Sequence, residues 1–491
     1  MDDTSNTPSS GKAIVIVSNR GPVSYEISNG QPVAKRGGGG LISGLAPLLD
    51  SGQATWIAAA MTDGDRLVAI SGRDSNASVD RSSDSSVDRS SDSSVDSQVD
   101  DSVELIALDP EDQRLHYDVI SNGTLWFLHH GLYDLVRSPS YRDDWQVAWD
   151  AYRRVNRAFA ERVVQVAPVG ATVLVQDYHL TLLPQTLVKE RPDLTLIHFL
   201  HTPFAGPENL RVMPDAARSE MLTSLMAHHA CGFHTSDWAA NFRESVARFA
   251  DETIVDGPES TNVFTSTLSS DISDIRQVAQ SAECRVELEQ IDALVGDRDL
   301  IVRVDRMELS KNIVRGFEAF DLLLEQKPHM RGRVVFFACC YPSREGVAEY
   351  AQYRDEVIES ARWVNERWGT DDWQPVTLNT DDNFPRSVAA LSRYDVLLVN
   401  PIRDGLNLVA KEGPTVNGHS GQLVLSTQAG AWSELKDCAF GVNPFDVAAT
   451  ADALAAALAL SGPDRERRAK RLGELAGERT PADWLADQLA V

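Results

Sequence analysis

The sequence predicts an α/β protein made of two Rossmann-like, doubly wound parallel-sheet halves facing each other across a cleft. Three observations carry that reading. Nine short, almost continuously apolar runs recur from residues 13–20 to residues 440–444, as strands buried on both faces do. Segments of helical period lie between them, so strand and helix alternate. Nine strands also exceed the roughly 4–6 of a common sheet, so two sheets are expected.

Taken in order, residues 1–11 read as a disordered tail. The run AIVIVSNR (13–20) is the first strand. KRGGGGLISGL (35–45) sets four glycines before a helical pattern. Such a loop brings backbone N–H groups close to an anion, although a plain flexible loop reads the same way. Residues 74–102 form a Ser/Asp-rich stretch in which VDRSSDSS occurs at 79–86 and again at 87–94. It cannot bury a core and is expected to be a disordered acidic insert. DWQVAWDAYRRVNRAFAERVVQV (144–166) reads as a helix. TVLVQDYH (172–179), LTLIHFLH (194–201) and CGFHT (231–235) continue the first sheet. The histidines and cysteine of HHACGFH (228–234) match no standard zinc spacing. The halves divide in the polar stretch 258–298, giving 12–263 for the first and 264–474 for the second. The second holds DLIVRVDR (299–306), the helical RGFEAFDLLLEQ, RVVFFACC (333–340), YDVLLVNP (394–401), QLVLST (422–427) and FGVNP (440–444). Residues 475–491, around Trp484, are expected to form a terminal helix that crosses back to the first half.

Composition narrows the function. The 46 Lys and Arg against 72 Asp and Glu give a net charge of −26. That balance argues against nucleic acid and anionic membranes as partners. No apolar run approaches the ~20 residues of a membrane span, and MDDTSNTPSSGK lacks the apolar core of a signal peptide. A cytoplasmic protein is expected. Five cysteines, an odd number mostly in apolar stretches, read as reduced core residues.

Several strands end in a polar or charged residue: Arg20, Asp177, His201, Arg306, and Arg403 with Asp404. Ligands of open α/β sheets bind outside these carboxyl ends. In RVDRMELSKN (303–312), Arg306 and Lys311 flank a strand–helix turn. They suit a diphosphate whose departing charge they would neutralise; a solvated surface pair is the competing reading. In NPIRDGLNLVAKEG (400–413), Asp404 could bind sugar hydroxyls and Glu412 a ribose diol.

Together, SNR (18–20), GGL (39–41), SNGTLW (121–126), QDYHL (176–180), FLHTPF (199–204), R-x-x-x-x-K (306–311), PSREGV (342–347) and RDGLNLVAKE (403–412) stand in an order and spacing that resembles the trehalose-6-phosphate synthases, retaining glycosyltransferases of GT-B fold. The resemblance covers roughly residues 12–490. It implies an acceptor phosphate held by Arg20, Tyr117, Trp126 and Arg344, with Asp177 near the acceptor sugar. It implies Arg306 and Lys311 on the donor diphosphate beside Gly40, backbone around Leu408 meeting that diphosphate, and Glu412 on the ribose. The base would lie near Asn383, Phe384 and Arg386, and the donor sugar would meet His201 and Asp404. Arg306, Lys311, His201 and Asp404 are thus the expected catalytic set.

The implied substrates are a nucleoside diphosphate glucose (UDP-, ADP- or GDP-glucose) and glucose 6-phosphate. Attack by the acceptor hydroxyl on the leaving-group face retains configuration, and the scheme calls for no cofactor, metal or enzymic nucleophile. A glucosylglycerol-phosphate synthase using glycerol 3-phosphate, a pseudo-glycosyltransferase and a non-catalytic sugar-phosphate sensor are the alternatives. A homo-oligomer is left open. Two departures touch the donor side: Glu308-Leu309 stands where the family commonly has Asp-Tyr, and Asn312 replaces a usual Gly.

Overall fold

The computed structural model describes residues 12–37, 40–50, 52, 54–77, 102–250, 260–344 and 346–491. The expected tail, 1–11, lies outside the described residues. So does the repeat-bearing span 78–101. Residues 74–77, read from sequence as the start of the insert, instead continue the helix Asp63–Ala77.

The first half carries a seven-stranded sheet. Its strands are Ile14–Val17 (β1), Ala54–Ala59 (β4), Val103–Ile106 (β5), Thr172–Gln176 (β6), Thr195–Leu200 (β7), Ala230–Phe233 (β8) and Asn262–Thr265 (β9), in the order β5-β4-β1-β6-β7-β8-β9. Between β1 and β4, Val23–Ser28 (β2) and Gln31–Arg36 (β3) form a separate antiparallel hairpin. Its turn is Asn29-Gly30, at φ 51° and 77°, the left-handed pair that a two-residue hairpin loop demands. The second half carries six strands: Asp299–Arg306 (β10), Val334–Tyr341 (β11), Val376–Asn379 (β12), Val396–Val399 (β13), Gln422–Ser426 (β14) and Phe440–Val442 (β15). Their order is β12-β11-β10-β13-β14-β15.

All pairings within both large sheets are parallel. β1 and β6, and β13 and β14, are wholly buried, which explains their unbroken apolar composition. All nine apolar runs are strands. β4, β5, β9 and β12 join them; β5, β9 and β12 are four residues long and partly exposed, too short for an apolar period to stand out.

The strand order locates the cleft. In the first sheet the chain runs outward through β4 and β5, then jumps back to place β6 on the other side of β1. In the second sheet the same reversal falls between β10 and β13. Ligands bind at such switch points, beyond the carboxyl ends of the strands. Arg20 and Asp177 follow β1 and β6; Arg306 ends β10, and Asp404 follows β13.

The polar stretch 258–298 is not a plain link. It holds the helices Ile272–Ala279 and Ala282–Val295, capped by the side chains of Asp271 and Ser281. Ile275, Cys284, Ile291 and Val295 bury one face of each. At the chain's end the helix Pro481–Leu489 packs on Gly40–Asp50 of the first half. Trp484 is buried there, its ring 5.1 Å from that of Phe199 and 5.6 Å from that of His201. No described helix is long and apolar enough to cross a membrane.

Candidate active site

On the first half, a wide π-helical segment, Leu115–Leu125, leads directly into the helix Trp126–His130. It carries Tyr117 toward the end of β1, where Arg20 Nη2 donates to the Tyr117 hydroxyl at 3.0 Å. Tyr117 in turn stacks on His179 at 5.9 Å. Asp177, just past β6, sits at φ 68° and ψ 177°, a conformation that side chains other than glycine rarely adopt. Strain of this kind persists where surrounding contacts enforce it. Here the carboxylate accepts the backbone N–H of His201 at 3.2 Å. Burial pushes the Asp177 carboxyl up to about 6, against the backbone N–H groups of Tyr178, His201 and Thr202, which pull it down. His201 Nε2 lies 3.0 Å from Gln176 Oε1. Burial, with His234 beside it, holds the His201 imidazole well below its ordinary range, so the ring is neutral.

The second half reaches across. Arg344, at φ 53°, sets its guanidinium 3.7 Å above the Trp126 ring. Its Nη1 donates to Tyr350 at 2.8 Å, and its Nη2 to the hydroxyl of Tyr178 at 3.4 Å. Tyr178 also faces Trp126 at 5.9 Å and stacks on His179 at 4.1 Å. Arg20 and Tyr117 on one side, and Arg344 and Trp126 on the other, are thereby joined through Tyr178 and His179. The indole N–H of Trp126 is buried without a partner.

Beside this cluster lies a string of charges. Lys311 Nζ is 2.7 Å from Asp404 Oδ2 and 3.9 Å from Asp305 Oδ1. Burial opposes both charges of the Lys311–Asp404 pair. Their attraction, joined at Lys311 by Asp305 and Glu308 and at Asp404 by His130 and Asn407, outweighs it, so the ammonium titrates higher and the carboxyl lower than usual. Arg303, wholly buried, donates from Nε to Asp305 at 2.8 Å and from Nη2 to the Lys311 carbonyl. Arg306 Nη1 meets Glu308 at 3.0 Å. Burial drives the Glu308 carboxyl up, but Arg306, Arg344 and Lys311 together hold it below the usual range. Asn312 stands at φ 60° and donates to the carbonyls of Asn400 at 3.0 Å and Pro444 at 2.7 Å. The replacement of the family's usual glycine is therefore tolerated: asparagine is among the few residues that visit this left-handed region.

The halves meet as bare backbone near the expected donor loop. A Cβ added to Gly40 would lie 2.3 Å from Leu408 Cδ1. One on Gly405 would lie 1.8 Å from the His201 carbonyl oxygen. Glu412 accepts from Ser270 Oγ at 2.8 Å, and burial raises its carboxyl pKa.

The residues expected near the base form a separate group. Asn383 caps the helix Phe384–Arg393 through the Arg386 N–H, and Phe384 is half exposed. The Arg386 guanidinium is taken up by Glu287 and Asp381, each at 2.9 Å.

The geometry adds four residues the sequence reading did not single out. Tyr178 is the hub of the ring cluster. His130 stacks on Trp126 at 3.9 Å; burial lowers its imidazole to about 4, with Asp404 pulling it back up. Arg303 and Asp305 support Lys311. Tyr178 had a signal, since it follows Asp177 at a strand end. His130 lies in an apolar helix and reads as core.

A family model for glycosyltransferase family 20 matches residues 12–490. The chain belongs to glycosyltransferase family 20. It is a glycosyltransferase of GT-B fold. It is 32% identical over 480 residues to the trehalose-6-phosphate synthase of Mycolicibacterium smegmatis, covering 93% of this chain and 88% of that protein. It is 33% identical over 391 residues to a bifunctional trehalose-6-phosphate synthase/phosphatase of Thermoproteus tenax, covering 78% of this chain; the match spans only about half, 52%, of that longer relative. Among solved structures, the UDP-forming α,α-trehalose-phosphate synthase of Burkholderia xenovorans in complex with glucose-6-phosphate superposes with a TM-score of 0.78 at 26% identity, over 97% of this chain and 99% of that one.

Proposed function

We propose that this family 20 enzyme makes α,α-trehalose 6-phosphate from a nucleoside diphosphate glucose and glucose 6-phosphate, in the cytoplasm. The observation that carries the reading is the composite anion site. Arg344 of the second half lies on Trp126 and Tyr178 of the first, with Arg20–Tyr117 on the same ring cluster. A phosphate dianion suits two guanidinium groups held on aromatic faces.

In this reading Arg20, Tyr117, Trp126 and Arg344 hold the acceptor phosphate, and Asp177 accepts a hydroxyl of its sugar. Arg306 and Lys311 take the donor diphosphate, with the backbone at Gly40 and Leu408 beside it and Glu412 on the ribose. Asn383, Phe384 and Arg386 frame the base. As the anomeric C–O bond lengthens, Arg306 and Lys311 stabilise the charge gathering on the departing phosphate. Asp404 and the neutral His201 orient the donor sugar. The acceptor hydroxyl attacks from the face the diphosphate leaves and passes its proton to a leaving phosphate oxygen, so configuration is retained. Holding both substrates in one cleft supplies the proximity that a two-substrate transfer needs.

The test is diphosphate release from UDP-, ADP- and GDP-glucose, each offered with glucose 6-phosphate and with glycerol 3-phosphate. Release with glucose 6-phosphate is expected. Release only with glycerol 3-phosphate would replace the acceptor, and no release with any pair would sink the enzyme reading.

A further inference from the structure

One buried carboxylate has no part in that scheme. Glu308 stands at the turn after β10, its side chain 0% exposed. The turn fixes it: its N–H donates to the Arg306 carbonyl and its own carbonyl accepts the Lys311 N–H, at 2.8 and 2.9 Å. Its Oε1 lies 3.0 Å from Arg306 Nη1, 3.3 Å from Ser343 Oγ and 3.9 Å from Arg344 Nε. Its Oε2 is buried with no hydrogen-bond partner. A buried, half-satisfied carboxylate is costly, and in a cleft built for anions it also repels the ligands. Its position offers the compensating gain: it touches one arginine assigned to the donor diphosphate and one assigned to the acceptor phosphate.

Resting on the functional reading above, we propose that Glu308 is a positioning residue that acts as a built-in counter-anion for both phosphate sites. In the empty cleft it holds Arg306 and Arg344 in place. When substrates bind it competes with each phosphate, loosening the grip on substrate and product alike. Arg306 ends β10 and Arg344 lies just past its parallel neighbour β11, and Arg306 pairs with Tyr341 in the β10–β11 register. One carboxylate at this junction can reach both arginines. An aspartate here would be one methylene shorter; glutamate has the reach to approach Arg344.

The competition gives a signature that a merely structural role would not. Glu308→Gln removes the rival charge with little change of shape. Calorimetric titration should show UDP alone and glucose 6-phosphate alone each binding about tenfold tighter, a coupling of ordinary size. Turnover should fall at least about tenfold, because the more tightly held product leaves more slowly. Glu308→Asp withdraws the carboxylate from the already long Arg344 contact while keeping it near Arg306. It should tighten glucose 6-phosphate but not UDP, and this arm stands even if Glu308→Gln fails to fold. If wild-type protein binds both ligands and a folded Glu308→Gln binds them equally or more weakly, the proposal is overturned. Unchanged glucose 6-phosphate affinity in Glu308→Asp overturns it too. Wild-type protein that binds neither ligand overturns the functional reading, and this proposal with it.

Discussion

Replacing Arg344 by alanine separates the acceptor site from the donor site. Its Nη1 is committed to Tyr350 at 2.8 Å, whereas Nη2 lies a long 3.4 Å from Tyr178 and Nε 3.9 Å from Glu308. The Nε–Nη2 edge is therefore only loosely engaged and free to take a phosphate side-on. Two charge-assisted hydrogen bonds at about 1.5–3 kcal/mol each come to about 3–6 kcal/mol. That corresponds to a rise of ~10²–10⁴ in the acceptor KM. Arg344 makes no hydrogen bond to Arg306, Lys311 or Asp404, and it approaches the donor side at the Glu308 carboxylate, 3.9 Å away. The donor KM should therefore shift by less than about tenfold. The assay is nucleoside diphosphate release with each substrate varied at saturation of the other, after circular dichroism has shown the variant folded. Equal effects on both KM values would refute the assignment of Arg344 to the acceptor phosphate.

Three further outcomes follow from the geometry. Burial pushes the Asp177 carboxyl up to about 6, so the carboxylate is lost progressively as pH falls through that value, and acceptor kcat/KM should fall with it. A sugar phosphate titrates in the same range, so the ratio of wild type to Asp177→Asn isolates the residue; a ratio flat from pH 5 to 8 would contradict the role. Gly40→Ala should raise the donor KM and lower the melting temperature, because its Cβ would lie 2.3 Å from Leu408; adding Leu408→Ala should recover much of the loss, and no recovery would refute the clash. Trp484→Ala empties a fully buried site between Gly44, Phe199 and His201 and should cost about 3–5 kcal/mol in urea unfolding, with less than 1 kcal/mol indicating a loosely docked terminal helix.

Most of both sheets was legible because buried parallel strands carry an apolar signature, although β4, β5, β9 and β12 went unread, and the polar residues ending the strands pointed to a cleft. What was not legible divides by cause. The helices of 272–295 carried readable caps at Asp271 and Ser281, but a polar composition masked one thin buried face. The hairpin turn at Asn29-Gly30 was a local signal left unread. Residues 74–77 extend a helix whose continuation nothing in their composition announces. The hub role of Tyr178 and the stacking of His130 on Trp126 depend on partners 52 and more residues away or on ring geometry, which no local pattern encodes. The pairing of Lys311 with Asp404, 93 residues apart, likewise exists only after β10 and β13 come together.

The close approach at Gly40 and Gly405 bears on how the halves meet. At Gly405 the main chain lies against the opposite half and its carbonyl accepts the Trp238 indole N–H at 3.1 Å, while Gly40 packs on the Leu408 side chain. Contacts this close leave no room for a Cβ, so the seam is set by backbone at Gly405 and by a leucine at Gly40. The two glycines thus set how closely the halves can approach each other. Adding bulk at either position would hold the halves apart at the expected donor site.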